Sequence, residues 1–151
     1  MNVSQKCQYA LRALFELAKR DTTRPTAMVH IAESQAIPHK FLELILSELR
    51  QGGFVESRRG RGGGYMFRGR PEELTVGTII RFVDGPVTPV KCLTDDGPSD
   101  MTCVLYGNCA FIEMWSRARD AIASVYDTTT FKDLIDNDRT RRETDKGTYC
   151  I

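Results

Sequence analysis

Cys92, Cys103 and Cys109 are separated by ten and by five residues in a stretch without helical or strand periodicity, interrupted by Pro86, Pro89, Gly97, Pro98 and Gly107. Thiolates are soft ligands, so several of them converging from a segment that can wrap suit an iron–sulfur cluster or zinc. Spacing does not choose between those metals, and thiol–disulfide switching would use the same residues. The chain has five cysteines in all, an odd number that fits metal binding or redox sensing better than a disulfide framework. Cys7 falls in register with Leu11 and Leu14 and reads as a small core residue. Cys150, in a polar tail, reads as incidental.

A second group of residues suits a polyanion. Pro38-His39-Lys40, followed by Glu43, Ser47 and Arg50, would place polar side chains along the outer face and N-terminal end of a helix. That end also offers free amides and a positive dipole to a phosphate. His39 and Lys40 are placed for phosphates or base edges, and Glu43, one turn in, for a cytosine amino group or for solvent. Arg58, Arg59 and Arg61 alternate with Gly60, Gly62, Gly63 and Gly64, so a flexible glycine tip could carry arginines into a minor groove or onto phosphates. Charge divides accordingly. Residues 1–70 hold 12 Lys/Arg and 6 Asp/Glu, a net of +6, while residues 71–151 hold 9 and 14, a net of −5. A basic half beside an acidic one suggests a polyanion-binding module carried by a module with another task.

These residues need a frame. Ser4 is placed to cap a first helix reaching about residue 19, with Tyr9, Leu11, Leu14, Phe15 and Ala18 on its apolar face. Thr26 is expected to cap a short helix over 27–34. Ala36-Ile37-Pro38 makes a tight corner, and a third helix runs from Pro38 to about Gln51 with Phe41, Leu42, Ile45, Leu46 and Leu49 inward, stopped by Gly52-Gly53. Short helix, tight turn and longer helix form a helix-turn-helix. Phe54–Ser57 and Tyr65–Arg68 flank the arginine-glycine tip as a hairpin wing. Thr75 caps a helix to about Val83 that packs back on the first three. A helix over about 108–126 carries Phe111, Met114, Trp115, Ala118, Ile122 and Val125, a stripe too apolar to stand alone. A second copy of that helix is the expected cover, making a two-fold homodimer.

The fold expected is therefore mainly α with a small β-hairpin. A winged helix-turn-helix DNA-binding domain occupies residues 1–85, a cysteine-bearing sensor loop 86–108, a long C-terminal dimerisation helix and following segment 109–135, and a disordered tail 136–151.

The combination resembles the Rrf-two family of winged-helix transcription regulators, the group of IscR, NsrR and CymR. The resemblance covers about residues 1–135. It rests on Tyr9-Ala10-Leu11-Arg12-Ala13-Leu14, Ile31-Ala32-Glu33, Ile37-Pro38 with Phe41-Leu42 and Ile45-Leu46, Gly53-Phe54-Val55, Ser57 with Arg59-Gly60, Gly62-Gly63-Gly64-Tyr65, the later cysteines, Trp115 and Thr130-Phe131-Lys132-Asp133-Leu134. It implies a homodimer joined by the long C-terminal helix, binding an imperfect palindrome in double-stranded DNA and usually repressing. It also implies that Cys92, Cys103 and Cys109 hold an iron–sulfur cluster, of 2Fe-2S or 4Fe-4S type. Cluster-binding members add a histidine soon after the third cysteine, or an acidic residue in the partner's first helix. Here Ala110 to Trp115 contain no histidine and Gln8 occupies the acidic position, leaving the fourth ligand open among Cys7, Glu113 and an external molecule. Sensing of redox state, nitric oxide or iron–sulfur status follows from such a cluster.

Other classes fit less well. A metal-dependent enzyme lacks its parts: the histidines are His30 and His39, both in the basic half, with no glycine-lysine phosphate loop and no carboxylate pair tied to a nucleophile. The same regulator without a cluster, switched by thiols or by a partner protein, remains an alternative, as does a winged-helix adaptor that binds protein. With no apolar run long enough for export or membrane spanning, the expected location is the cytoplasm.

Overall fold

Ser4 opens the first helix: its hydroxyl accepts from the Cys7 amide at 3.0 Å, satisfying a donor that a helix start leaves unpaired. That helix, α1 (Gln5–Ala18), buries Cys7, Ala10, Ala13, Leu14 and Leu17 along one stripe. The computed structural model describes residues 2–20, 23–94 and 103–147. In them α2 (Met28–Gln35) and α3 (His39–Gln51) follow α1, then strands β1 (Val55–Arg58) and β2 (Gly64–Phe67), α4 (Val76–Asp84), a 3-10 turn (Lys91–Leu93), α5 (Ile112–Thr128) and α6 (Phe131–Gly147).

The corner between α2 and α3 is tight. Ala36 adopts a left-handed φ of 48°, and the Ile37 amide donates to the Ala32 carbonyl at 2.9 Å, closing α2. A residue with a side chain in that conformation costs about 1–2 kcal/mol. Seating Ile37 in the core, 3% exposed, contributes about 1.5–3 kcal/mol and offsets it. Pro38, expected as the first residue of α3, is its cap, with ψ of 134°. Leu42, Ile45, Leu46 and Leu49 face inward as expected; Phe41 does not, and is 56% exposed with its ring against Tyr9. Phe41 lies at the edge of the stripe, where its ring meets Tyr9 of α1 from outside the core.

β1 and β2 pair antiparallel, Val55 opposite Phe67 and Arg58 opposite Gly64. The wing is tied to the helices through Thr26, whose amide donates to the Tyr65 carbonyl at 2.8 Å and whose carbonyl accepts from the Tyr65 amide at 2.9 Å. Thr26 therefore does not cap α2 by its side chain as expected; Ala27 holds the cap position without a side-chain hydrogen bond. Gly64 makes the pairing possible, since a Cβ there would stand 2.2 Å from the Thr26 carbonyl oxygen.

One main core joins Leu14, Ile31, Leu42, Leu46, Leu49, Val55, Phe67, Ile79 and Phe131. A second, smaller cluster gathers Cys7, Ile80 and Val87, with Val3, Val76, Ile122 and Tyr126 packed against it, and here α5 meets α1 and α4. Residues from 136 onward, expected to be disordered, instead continue α6 as far as Gly147. Thr130 and Asp133 cap its start reciprocally: the Thr130 amide donates to Asp133 at 2.9 Å and the Asp133 amide to the Thr130 hydroxyl at 3.1 Å. Phe131 and Ile135 anchor it in the core. Its polar remainder is supported by pairs one helical turn apart, Lys132 with Asp136 and Asp138 with Arg142. Cys150 lies outside the described residues. Among those residues, no helix is long and apolar enough to cross a membrane.

Candidate nucleic-acid interface and cysteine pocket

The inward stripe of α3 fixes what its other side presents. Pro38, His39, Lys40, Glu43 and Arg50 are all exposed. His39 and Lys40 fall in the first turn, where free amides and the helix dipole favour an anion, and Glu43 lies one turn further on. Arg50, at the far end, donates to the Ser57 hydroxyl at 3.3 Å, joining α3 to the first wing strand. The wing tip exposes Arg58, Arg59 and Arg61 together with Gly62, while Gly63 is half-buried and its amide closes the tip on the Gly60 carbonyl at 2.9 Å. Among the described residues these three arginines have no ion-pair partner within 4 Å. The arrangement offers a phosphate backbone two cationic groups on one rigid head, α3 and the tip, with base-reading side chains on α3.

Leu44, which the sequence did not single out, also lies open on α3 and is 65% exposed. Its signal was present in the spacing, for it falls between the inward positions Leu42 and Ile45 and belongs to neither.

The three later cysteines come from separate pieces of backbone. Cys92 is carried by the 3-10 turn, Cys103 precedes a turn in which the Tyr106 amide donates to its carbonyl at 3.0 Å, and the Cys109 carbonyl accepts from Ile112, the first residue of α5, at 3.2 Å. All three line one cavity of about 320 Å³, walled also by Leu93, Tyr106, Gly107 and Ile112. Their thiols are free. No three metal-ligating groups among the described residues stand close enough to grip a single ion. The three thiols share the cavity without converging on one point. Arg119 on α5 reaches the Leu93 carbonyl at 3.4 Å, linking the Cys92 turn to the helix.

Cys7 is apart from this cavity. It is fully buried between α1, α4 and α5, and burial, reinforced by the Asp84 carboxylate, pushes its thiol up to about 12. Those conditions hold it protonated and make it a core residue rather than a ligand. Glu113 is exposed in the first turn of α5 and does not line the cavity.

At its N-terminal end α5 leaves Phe111 62%, Ile112 40% and Met114 46% exposed, and Val125 further along is 62% exposed. No residue of the helix is buried in the single chain.

A family model described as "Iron-dependent Transcriptional regulator", Rrf2, matches residues 3–137. The HTH-type transcriptional regulator CymR of Bacillus subtilis is 38% identical over 134 residues, 89% of this chain and 89% of that protein. The HTH-type transcriptional regulator IscR of Aliivibrio salmonicida is 30% identical over 146 residues, 97% of this chain and 84% of that one. Among solved structures, CymR of B. subtilis, described as its global cysteine regulator, superposes with a TM-score of 0.75 at 37% identity, covering 91% of this chain and 98% of the other.

Proposed function

The chain belongs to the Rrf2 family of transcriptional regulators, not to an enzyme family, and we propose that it acts as a homodimeric repressor whose hold on DNA is set at the cavity of Cys92, Cys103 and Cys109. Each copy lays α3 into a major groove and its arginine tip onto the neighbouring backbone, so two copies read an imperfect palindrome in double-stranded DNA. The exposed apolar residues of α5 favour a second copy as their cover.

The observation that carries this reading is the shared cavity of the three thiols, at the point where the chain enters α5. Its donor chemistry fits an iron–sulfur cluster: three soft ligands line one cavity beside Leu93, Tyr106 and Ile112. Cys92, Cys103 and Cys109 would hold the group, which supplies redox and ligand-exchange reactivity when bound. A cluster held by these three cysteines alone would be labile and so open to attack by a signal molecule. Because Cys109 leads directly into α5, and Arg119 ties the Cys92 turn to that helix, ordering of the cavity bears on the axis that spaces the two α3 helices. Their separation must match about one turn of DNA, roughly 34 Å, so a small tilt lowers affinity steeply.

A second reading is supported by the likeness to CymR of Staphylococcus aureus, which has been solved in an oxidized form: the same thiols act as a redox switch without a cluster. Anaerobic purification with visible spectroscopy and assays of iron and sulfide separates the two. Visible absorption that falls in Cys92→Ala, Cys103→Ala and Cys109→Ala, with an operator affinity that depends on iron and sulfide, supports the cluster. A colourless protein whose DNA affinity follows thiol oxidation selects the switch, and a protein indifferent to both rejects the cavity as the sensor.

A further inference from the structure

Leu44 is an apolar side chain on the most polar face of the DNA-reading head. A helix brings residues three and four apart onto one face. With Leu42, Ile45, Leu46 and Leu49 turned into the core, Leu44 shares the outward side of α3 with Lys40, one turn before it, and with Glu43 and Ser47. It is 65% exposed, one of the most exposed large apolar residues of that head. An exposed leucine on an ordinary surface calls for no explanation; Phe41, three residues earlier and 56% exposed, turns its ring to Tyr9, and the charged neighbours of Leu44 narrow what it can meet. His39, Lys40, Arg50, Arg58, Arg59 and Arg61 are exposed on α3 and the wing. A second copy of the same face would bring those positive charges together, whereas a polyanion is attracted by them. The occupant of this surface is therefore nucleic acid, and in the major groove of DNA the apolar group that an aliphatic side chain meets is the C5-methyl of thymine.

We propose that Leu44 is a specificity-determining residue that reads thymine by its methyl group. The inference rests on α3 being the recognition helix and adds a particular base to it. Lys40 and Glu43 supply polar contacts on either side, and Leu44 excludes water from the methyl. Cytosine at the same place would set its amino group against an aliphatic side chain and leave a polar group unpaired.

The test uses the full chain and duplexes that it selects from a random-sequence library at fixed salt. Each thymine in the selected half-site is replaced in turn by deoxyuridine, which keeps every hydrogen bond and removes the methyl alone. At one thymine per half-site the wild-type protein is expected to lose about fourfold in affinity for each methyl deleted. Leu44→Ala is expected to bind thymine and deoxyuridine duplexes equally. Wild-type affinity that is unchanged by deoxyuridine at every position overturns the inference while leaving DNA recognition intact. A protein that selects no sequence overturns both. A Leu44→Ala variant that keeps the wild-type penalty for deoxyuridine rejects the proposal, and a change of oligomeric state with it gives Leu44 to a protein interface. The wild-type comparison alone can overturn the inference, and a Leu44→Ala variant shown to be folded by circular dichroism assigns the methyl contact to this residue.

Discussion

Arg81 on α4 and Asp127 on α5 form a two-pronged pair, with guanidinium nitrogens 2.6 and 2.8 Å from the two carboxylate oxygens. Directly beneath lies Gly77, where a Cβ would stand 2.0 Å from the Asp127 carboxylate. The joint between the DNA-reading head and the long helix thus depends on a missing side chain as much as on an ion pair. Both partners are nearly half exposed, so the pair itself contributes only about 0.2–1 kcal/mol. Gly77→Ala is expected to displace the carboxylate and cost at least as much as Arg81→Ala. In an Asp127→Ala background the same glycine substitution is expected to cost markedly less, a non-additivity that urea denaturation of the four variants measures. Equal cost in both backgrounds would place the clash elsewhere.

Gly64 is a second contact of that kind, between backbone and backbone. Gly64→Ala is expected to push Tyr65 off Thr26, breaking two hydrogen bonds and costing about 1–3 kcal/mol. Amide exchange at Tyr65 reports it directly: protected in the wild type, the Tyr65 amide exchanges freely in the variant, and DNA affinity falls with it. A variant with unchanged protection at Tyr65 contradicts this account of the wing.

Glu16 is buried, yet it is charged. Burial pushes its carboxyl up, but donors from Lys19 at 2.9 Å, Gln35 at 2.8 Å and Arg20 at 2.7 Å outweigh that and hold it below the usual glutamate range. With the folded value depressed, ionised Glu16 contributes its stabilisation in full above the ordinary glutamate range and loses it as pH falls through the folded value. Glu16→Ala is expected to cost about 1.5–3 kcal/mol near neutrality. Glu16→Gln should show a shallower loss of stability between about pH 6 and pH 3 than the wild type. Denaturant midpoints across that window decide it, and parallel curves would remove Glu16 from the acid response.

Among the described residues, the thiols divide into two populations. Cys103 is exposed and Cys92 and Cys109 are half-buried, whereas Cys7 is sealed and its thiol is pushed up to about 12. Near pH 8 Cys7 is therefore held in its protonated form. In the apo protein, alkylation followed by peptide mass spectrometry is expected to mark Cys92, Cys103 and Cys109 within minutes and Cys7 only after unfolding. Rapid labelling of Cys7 in the folded protein would contradict its place in the core.

Much of the head was legible in the sequence because its signals are local. Ser4 and Thr75 cap where hydroxyls stand before apolar stripes, and the glycine-rich tip fixes the hairpin. What escaped depended on distant partners. Thr26 looks like a helix cap until Tyr65, far along the chain, takes its backbone. Glu16 sits in an apolar pattern, and its burial is rationalised by Gln35, on the next helix. The polar run after Ile135 reads as disorder by composition, although the Thr130–Asp133 cap and the charge pairs one turn apart were already written there. Cys92, Cys103 and Cys109 were found by type and spacing; that they line one cavity is decided by turns without periodicity.

The end of α4 has a mechanical consequence. Asp84 accepts from the Ser4 amide at 2.8 Å and from the Ser4 hydroxyl at 2.5 Å, and the next residue, Gly85, turns with φ of 84°. The segment leading to Cys92 therefore leaves from a moored post with a swivel beside it, not from a slack tether. On the function proposed above, an ordering of the cysteine cavity would therefore act against an anchored end of α4.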